Sequence, residues 1–169
     1  MGKDFRGTDG PLTDEPDGTG IRLGIACARW NDAVTSRLLR GATERAEALG
    51  IADEDLDVAW VPGAFELPLA AQSMAQSGRY DAVVALGCVI RGDTAHFEYV
   101  AGPAAEGIMR AQLDSGVPVV LGMLTTEDRR QALVRSVLPE EGLPGDNKGS
   151  EAVDVAVEMA RLLRSIAAG

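Results

Sequence analysis

Apolar residues along the chain alternate between two patterns. Short, mainly apolar runs (Ile21–Ala28, Asp57–Val61, Ala82–Ile90 and Val117–Leu124) read as strands, and the unbroken third run marks a strand buried on both faces, as in a parallel sheet. Between them the apolar positions fall at helical spacing. Val34, Leu38, Ala42, Ala46 and Leu49 predict a helix starting near Ala33 and closed by Gly50. A second helix, with Pro68 in its first turn, runs through Leu69, Met74 and Ala75 to Gly78. Phe97, Val100, Ala104, Ile108 and Ala111 predict a long third helix ending near Gly116, with Pro103 implying a kink or a late start. Thr125 to Asp128 has the spacing of a capping box and introduces a short helix carrying Arg135. Pro139 to Asp146 is a loop, and Val153, Ala156, Val157, Ala160 and Leu163 belong to a last helix. Strands separated by helices predict one α/β domain: a three-layer α/β/α sandwich on a four-stranded parallel sheet with four or five helices. Met1 to Gly20 is rich in Gly, Asp, Thr and Pro, lacks periodicity, and reads as a flexible tail; residues 21–169 form the domain.

Aromatics make up only 4% of the 169 residues, so the core must be built from Ala, Val, Leu and Ile. A net charge of −10 without a basic cluster argues against nucleic acid or an anionic membrane as partner. No apolar run reaches the ~20 residues of a membrane span, and the N-terminus has no signal-peptide core, so a cytoplasmic protein is expected. Cys27 and Cys88 lie inside strand runs and are expected as buried thiols. With one histidine and two lysines, Lys3 and Lys148, a His/Cys metal cluster has no basis, and a Schiff-base lysine in the folded region could only be Lys148. Dinucleotide, P-loop and hydrolase motifs are missing from the sequence.

Candidate chemistry gathers where strands meet helices, which is where open α/β sheets bind ligands. The third strand ends in Arg91-Gly92-Asp93-Thr94, and the only histidine, His96, opens the next helix, whose free N–H groups suit a phosphate. The alternative is a surface turn with an incidental histidine. Trp30 at the end of the first strand is either packing over a helical turn or a platform for a ring-shaped ligand. Asn31 or Asp32 can cap the first helix. Trp60 is expected in the core. Gly63 and Ala64 leave room for close backbone approach, and Glu66 either answers the helix dipole or accepts from ligand hydroxyls. Arg135 reads as a solvated surface cation unless a ligand claims it.

Taken together, Arg29-Trp30-Asn31-Asp32, Val61 to Glu66 (VPGAFE), Leu86 to Glu98 (LGCVIRGDTAHFE), Gly122 to Glu127 and Asn147-Lys148-Gly149 resemble one family, the 6,7-dimethyl-8-ribityllumazine synthases. The resemblance spans about residues 21 to 165. It implies a flavodoxin-like fold and the penultimate reaction of riboflavin biosynthesis. In that reaction 5-amino-6-(D-ribitylamino)uracil condenses with 3,4-dihydroxy-2-butanone 4-phosphate, with no metal or organic cofactor. By position, Trp30 would stack on the pyrimidine, with Asn31 beside it. Ala64, Phe65 and Glu66 would line the ribityl chain, and the backbone of Cys88, Val89 and Ile90 would hydrogen-bond the pyrimidine edge. Asp93, Thr94 and Arg135 would hold the phosphate, His96 would carry protons, and Lys148 would make a polar contact near the rings. Imine formation, elimination and cyclisation need protons moved both ways near neutral pH, a task suited to an imidazole with its unperturbed pKa of ~6.5. Position 121 is Leu where many members carry an aromatic ring. Members assemble as pentamers with sites shared between subunits, and some pack into cages of twelve pentamers. The longer loop here is expected to obstruct caging, favouring a pentamer or decamer. Riboflavin synthase is a further partner the resemblance raises. A competing reading keeps the fold as a lumazine- or flavin-binding protein without turnover. A flavodoxin-like electron carrier fits poorly, because Cys27 to Asp32 (CARWND) lacks a phosphate-binding Ser/Thr/Gly cluster.

Overall fold

The computed structural model describes residues 16–169; the expected tail up to residue 15 lies outside the described residues. Four parallel strands, β1 (Leu23–Ala28), β2 (Leu56–Val61), β3 (Ala82–Ile90) and β4 (Val119–Thr126), form a sheet of order β2-β1-β3-β4. Helices α1 (Asp32–Ala48) and α5 (Lys148–Ala168) cover one face. Helices α2 (Leu67–Gln76) and α3 (His96–Ser115) cover the other. A short α4 (Arg129–Val134) follows β4. The chain is therefore the three-layer α/β sandwich that its pattern predicts.

Small side chains let the layers approach closely. On one side Ile25 and Cys27 meet Leu38 and Ala42 of α1 and Val153 and Val157 of α5. On the other, Ala26, Val83 and Ala85 meet Leu67 and Ala71 of α2 and Ala104 and Ile108 of α3. β3 is buried on both faces through Val89, as its unbroken apolar run requires. Cys27 and Cys88 are buried free thiols.

Several expectations need correction. Trp60 is not in the core: β2 is an edge strand, and Trp60, paired with Cys27, stays 42% exposed beyond the cover of α1. β4 begins and ends two residues later than its apolar run, because it tracks β3 in register from Val83↔Val119 to Ile90↔Thr126. Thr125 therefore belongs to the strand and caps nothing. Asp128 caps α4 instead, its Oδ1 accepting from Gln131 N–H at 2.8 Å, while Gln131 Oε1 accepts from Glu127 N–H at 3.2 Å. Arg135 is the residue that ends α4. Asn31 precedes α1 without a side-chain cap, and Asp32 Oδ1 accepts only from Ala33 N–H, at 2.8 Å. α3 starts at His96 and runs through Pro103, so no late start occurs; it closes at Gly116 with φ 70°, a conformation that favours glycine. The end of the expected tail is held by the fold: Gly18 N–H donates to Leu49 O at 2.7 Å, and Arg161 donates to Asp17 O and Thr19 O.

Candidate active site

The strand order reverses between β1 and β3. α1 leaves β1 towards β2, and α3 leaves β3 towards β4, so the carboxyl ends of β1 and β3 open a crevice of the kind that holds ligands in open α/β sheets. β3 also outlasts its neighbour: the β1 ladder ends at Cys27↔Leu86, whereas β3 continues to Ile90. Val83 and Arg91 donate their N–H groups towards the β4 side, to Pro118 O and Thr126 O. Alternation along a strand therefore turns the backbone of Cys88 and Ile90 towards the vacated β1 side and that of Val89 towards β4. Of the three backbones expected at a ligand edge, Cys88 and Ile90 face the crevice.

Asn31 crosses it. This residue sits in the left-handed region (φ 62°, ψ 42°), a conformation asparagine tolerates better than most, and its Nδ2 donates to Cys88 O at 2.8 Å. Trp30 is 64% exposed. Its N–H donates to Pro62 O at 3.1 Å, and one side of its ring lies on Gly63, where a Cβ would fall 2.5 Å from Cε3. Trp30 is thus packed on one flank, against Gly63 after β2 and not over the turn of α1 that the sequence suggested, and exposed on the other. In the 3-10 turn Ala64–Glu66, Ala64 is buried, Phe65 is exposed, and Glu66 Oε2 accepts from Gly63 N–H at 3.0 Å. This bond gives Glu66 a structural role as a cap at the helix start.

The loop after β3 presents Asp93, Thr94 and His96 at the surface. Thr94 Oγ1 accepts from His96 N–H at 3.4 Å. What fixes the loop is Arg91, to which sequence reasoning gave no role. Its Nε donates to Glu127 at 2.7 Å, its Nη1 donates to Glu98, and its guanidinium lies 4.1 Å from the Phe97 ring centroid. Arg91 thereby ties the β3 exit to the β4 exit and to the first turn of α3. Glu98, seven residues downstream of Arg91 and in the first turn of a predicted helix, was the legible signal.

Leu121, Arg135 and Lys148 gather elsewhere, along the outer edge of β4. They line an open cleft of about 310 Å³ together with Thr125, Glu151 and Val155. Trp30, Phe65, Asp93, Thr94 and His96 do not line it. Arg135 Nη1 donates to Gln131 O at 2.9 Å. Lys148 Nζ pairs with Asp146 at 2.9 Å and Glu151 at 2.8 Å. Burial pushes the Lys148 ammonium towards deprotonation, but the two carboxylates outweigh it and hold the pKa above the usual lysine value. A lysine so paired is an ammonium, not a free amine for imine formation. Burial likewise raises Cys88 to about 11 and Cys27 to about 12, so neither is a thiolate near neutral pH.

Among the described residues, no His, Cys, Asp and Glu side chains cluster as a metal site would require, and no helix is long and apolar enough to cross a membrane. The crevice offers backbone hydrogen-bonding groups and an exposed indole, and the cleft adds Arg135 and a carboxylate-paired Lys148, a combination that suits small polar molecules. A sequence model of the 6,7-dimethyl-8-ribityllumazine synthase family matches residues 20–164, nearly the whole of the described fold. The chain belongs to the 6,7-dimethyl-8-ribityllumazine synthase family, transferases of riboflavin biosynthesis.

Proposed function

We propose that this protein condenses 5-amino-6-(D-ribitylamino)uracil with 3,4-dihydroxy-2-butanone 4-phosphate to 6,7-dimethyl-8-ribityllumazine, releasing phosphate and water. The observation that carries the reading is the crevice at the β1/β3 reversal, with the only histidine at the start of α3 beside it. The pyrimidine lies on the open flank of Trp30. Its polar edge meets Cys88 N–H and the Ile90 backbone, and its ribityl chain runs past Ala64, Phe65 and Glu66. The ketone carries its phosphate to the N–H groups at Asp93 and Thr94.

The reaction needs protons more than it needs a nucleophile from the protein. The aromatic amine attacks the ketone and water leaves as the imine forms. A proton is then removed as phosphate departs, and the second amine closes the ring with loss of another water. His96 moves these protons. Holding the two reactants together supplies most of the acceleration, because amine and ketone already react readily. No metal or organic cofactor is called for.

Arg135, Lys148 and Leu121 serve the site of an adjoining copy of the chain. Their cleft opens on the β4 edge, apart from the β1/β3 crevice of their own chain, which supports a homo-oligomer with shared sites. A pentamer or decamer is favoured over a cage, the protein acts in the cytoplasm, and riboflavin synthase, which uses the product, is a candidate partner.

Mixing both substrates with the protein and following lumazine fluorescence tests the proposal. Product forming faster than in protein-free buffer is expected; a rate equal to the buffer rate would remove the enzymatic reading. A second reading, a lumazine- or flavin-binding protein without turnover, draws on Leu121, an aliphatic side chain 51% exposed at the cleft. It predicts bound lumazine with no acceleration.

A further inference from the structure

The two cations of the β4 cleft lie on separate elements: Arg135 at the end of α4 and Lys148 at the start of α5. They are held side by side by a short backbone clasp. Ser136 and Asn147 form an antiparallel bridge, Lys148 N–H donates to Arg135 O at 3.0 Å, and Val137 N–H donates to Asp146 O at 2.9 Å. A clasp of so few bonds between two loops does not hold its place unaided. A third element holds it. Asn147 Nδ2 donates to Arg37 O of α1 at 3.1 Å, while its Oδ1 accepts from Gly149 N–H at 3.0 Å and Ser150 N–H at 3.2 Å. Arg37 Nε donates to Ser136 O at 2.9 Å, and its Nη2 pairs with Glu141. Two glycines make the fit: a Cβ on Gly41 would overlap the Asn147 amide, and a Cβ on Gly149 would overlap Leu38 O.

We infer that Asn147 is a positioning residue which, anchored on α1, sets the placement of Arg135 for an anionic substrate group and of Lys148 beside it. This rests on the reading of the β4 cleft as an anion site. Asn147 is only 9% exposed and does not line the cleft, so it acts through its neighbours and not by contact. An N-cap for α5 alone would need only the Oδ1 acceptor. The Nδ2 bond to α1 and the glycine at position 41 have no part in capping. They serve the docking of the clasp.

Two variants separate docking from capping in the full chain in its native assembly. Asn147→Ser keeps a neutral N-cap of similar quality but is too short to reach Arg37 O. Gly41→Ala leaves Asn147 unchanged and improves helix propensity in α1, but drives the amide from its seat. Inorganic phosphate is the probe, as inhibitor and by calorimetry, with KM measured for both substrates. Both variants are expected to weaken phosphate binding and raise KM for the phosphate-bearing substrate about 10-fold, below the roughly 100-fold that a full ångström of misplacement can cost. KM for the pyrimidine substrate, whose rings only Lys148 of the two cations would contact, should rise less. A fold-only role would lower the active fraction and leave both KM values unchanged, and that result overturns the inference. If Asn147→Ser does not fold, Gly41→Ala decides alone: unchanged phosphate constants refute the docking role. Arg135→Ala is the control. If it too leaves phosphate binding unchanged, the reading of the cleft has failed; if it alone weakens binding, only the positioning role has.

Discussion

The side-chain amide of Asn31 donates to the carbonyl oxygen of Cys88 at 2.8 Å, joining the exits of β1 and β3 across the point where the sheet reverses. The bond occupies one acceptor of a strand end that is otherwise open on that side, so it defines the floor of the crevice. It also accounts for a left-handed backbone at a residue that is not glycine.

In the proposed reaction His96 is the proton carrier between reactants already inclined to combine. His96→Ala is expected to slow turnover about 10- to 100-fold without abolishing it, at the low end of acid–base effects. Steady-state kinetics decides, and a loss beyond about 10⁴-fold would assign the imidazole a far larger role than proton transfer.

Arg135→Ala removes a guanidinium from the β4 cleft. KM for the phosphate-bearing substrate should rise about 10-fold or more, in line with loss of a charge-assisted hydrogen bond, with kcat less affected. An unchanged KM for that substrate takes Arg135 out of the site.

Gly63→Ala tests the seat of Trp30. The φ of −145° at Gly63 suits any residue, so the change acts only through its Cβ, which would lie 2.5 Å from the indole. The ring must leave its seat, costing about 1–2 kcal/mol as overpacking does. In a Trp60→Phe background the Trp30 emission should shift and KM for the pyrimidine should rise. A shifted emission with an unchanged KM for the pyrimidine would show that Trp30 does not serve as the platform.

Asp81 links β3 to β1 and α5. Its carboxylate accepts from Arg22 N–H at 2.8 Å, and Arg164 lies 2.9 Å away. Burial raises its pKa, but the two arginines outweigh burial and hold it below the usual carboxylate value. A carboxyl whose folded pKa is depressed stabilises the fold above its unfolded pKa, and the contribution is lost as pH falls through the folded value. Asp81→Asn should therefore cost about 1 kcal/mol at neutral pH, a modest figure because the site is partly solvated. The gap from wild type should close below about pH 4 in urea titrations. A gap that widens on acidification would contradict the assignment.

The loop at residues 139–146 bears on assembly. Its Glu140 and Glu141 pair with Arg40 and Arg37 of α1, which fixes the loop against the helix and leaves Leu143 exposed. In the proposed pentamer, a bulky, anchored loop should prevent packing into a shell. Light scattering should give the mass of a pentamer or decamer; a megadalton particle would exclude this account.

Much of this protein was written in its sequence, and local physics explains why. The apolar runs of β1 and β3 mark strands buried on both faces, and the 3.6-residue stripes mark four of the five helices, because burial imposes those periods. His96 at a helix start and Pro-Gly before Glu66 were legible for the same reason: turn chemistry and helix termini depend on adjacent residues. Trp60 was misjudged because edge or centre is a property of strand order, which no stretch of chain carries alone. The start of β4 slipped because register with β3, not hydrophobicity, sets its ends. The partners of Asn31, Arg91 and Asn147 lie 57, 36 and 110 residues away in sequence, at Cys88, Glu127 and Arg37. Only the folded chain brings them together, because such bonds depend on how layers stack. Sequence thus determined the elements and offered the candidate residues, and tertiary structure decided which backbone faces the crevice and what holds the cations in place.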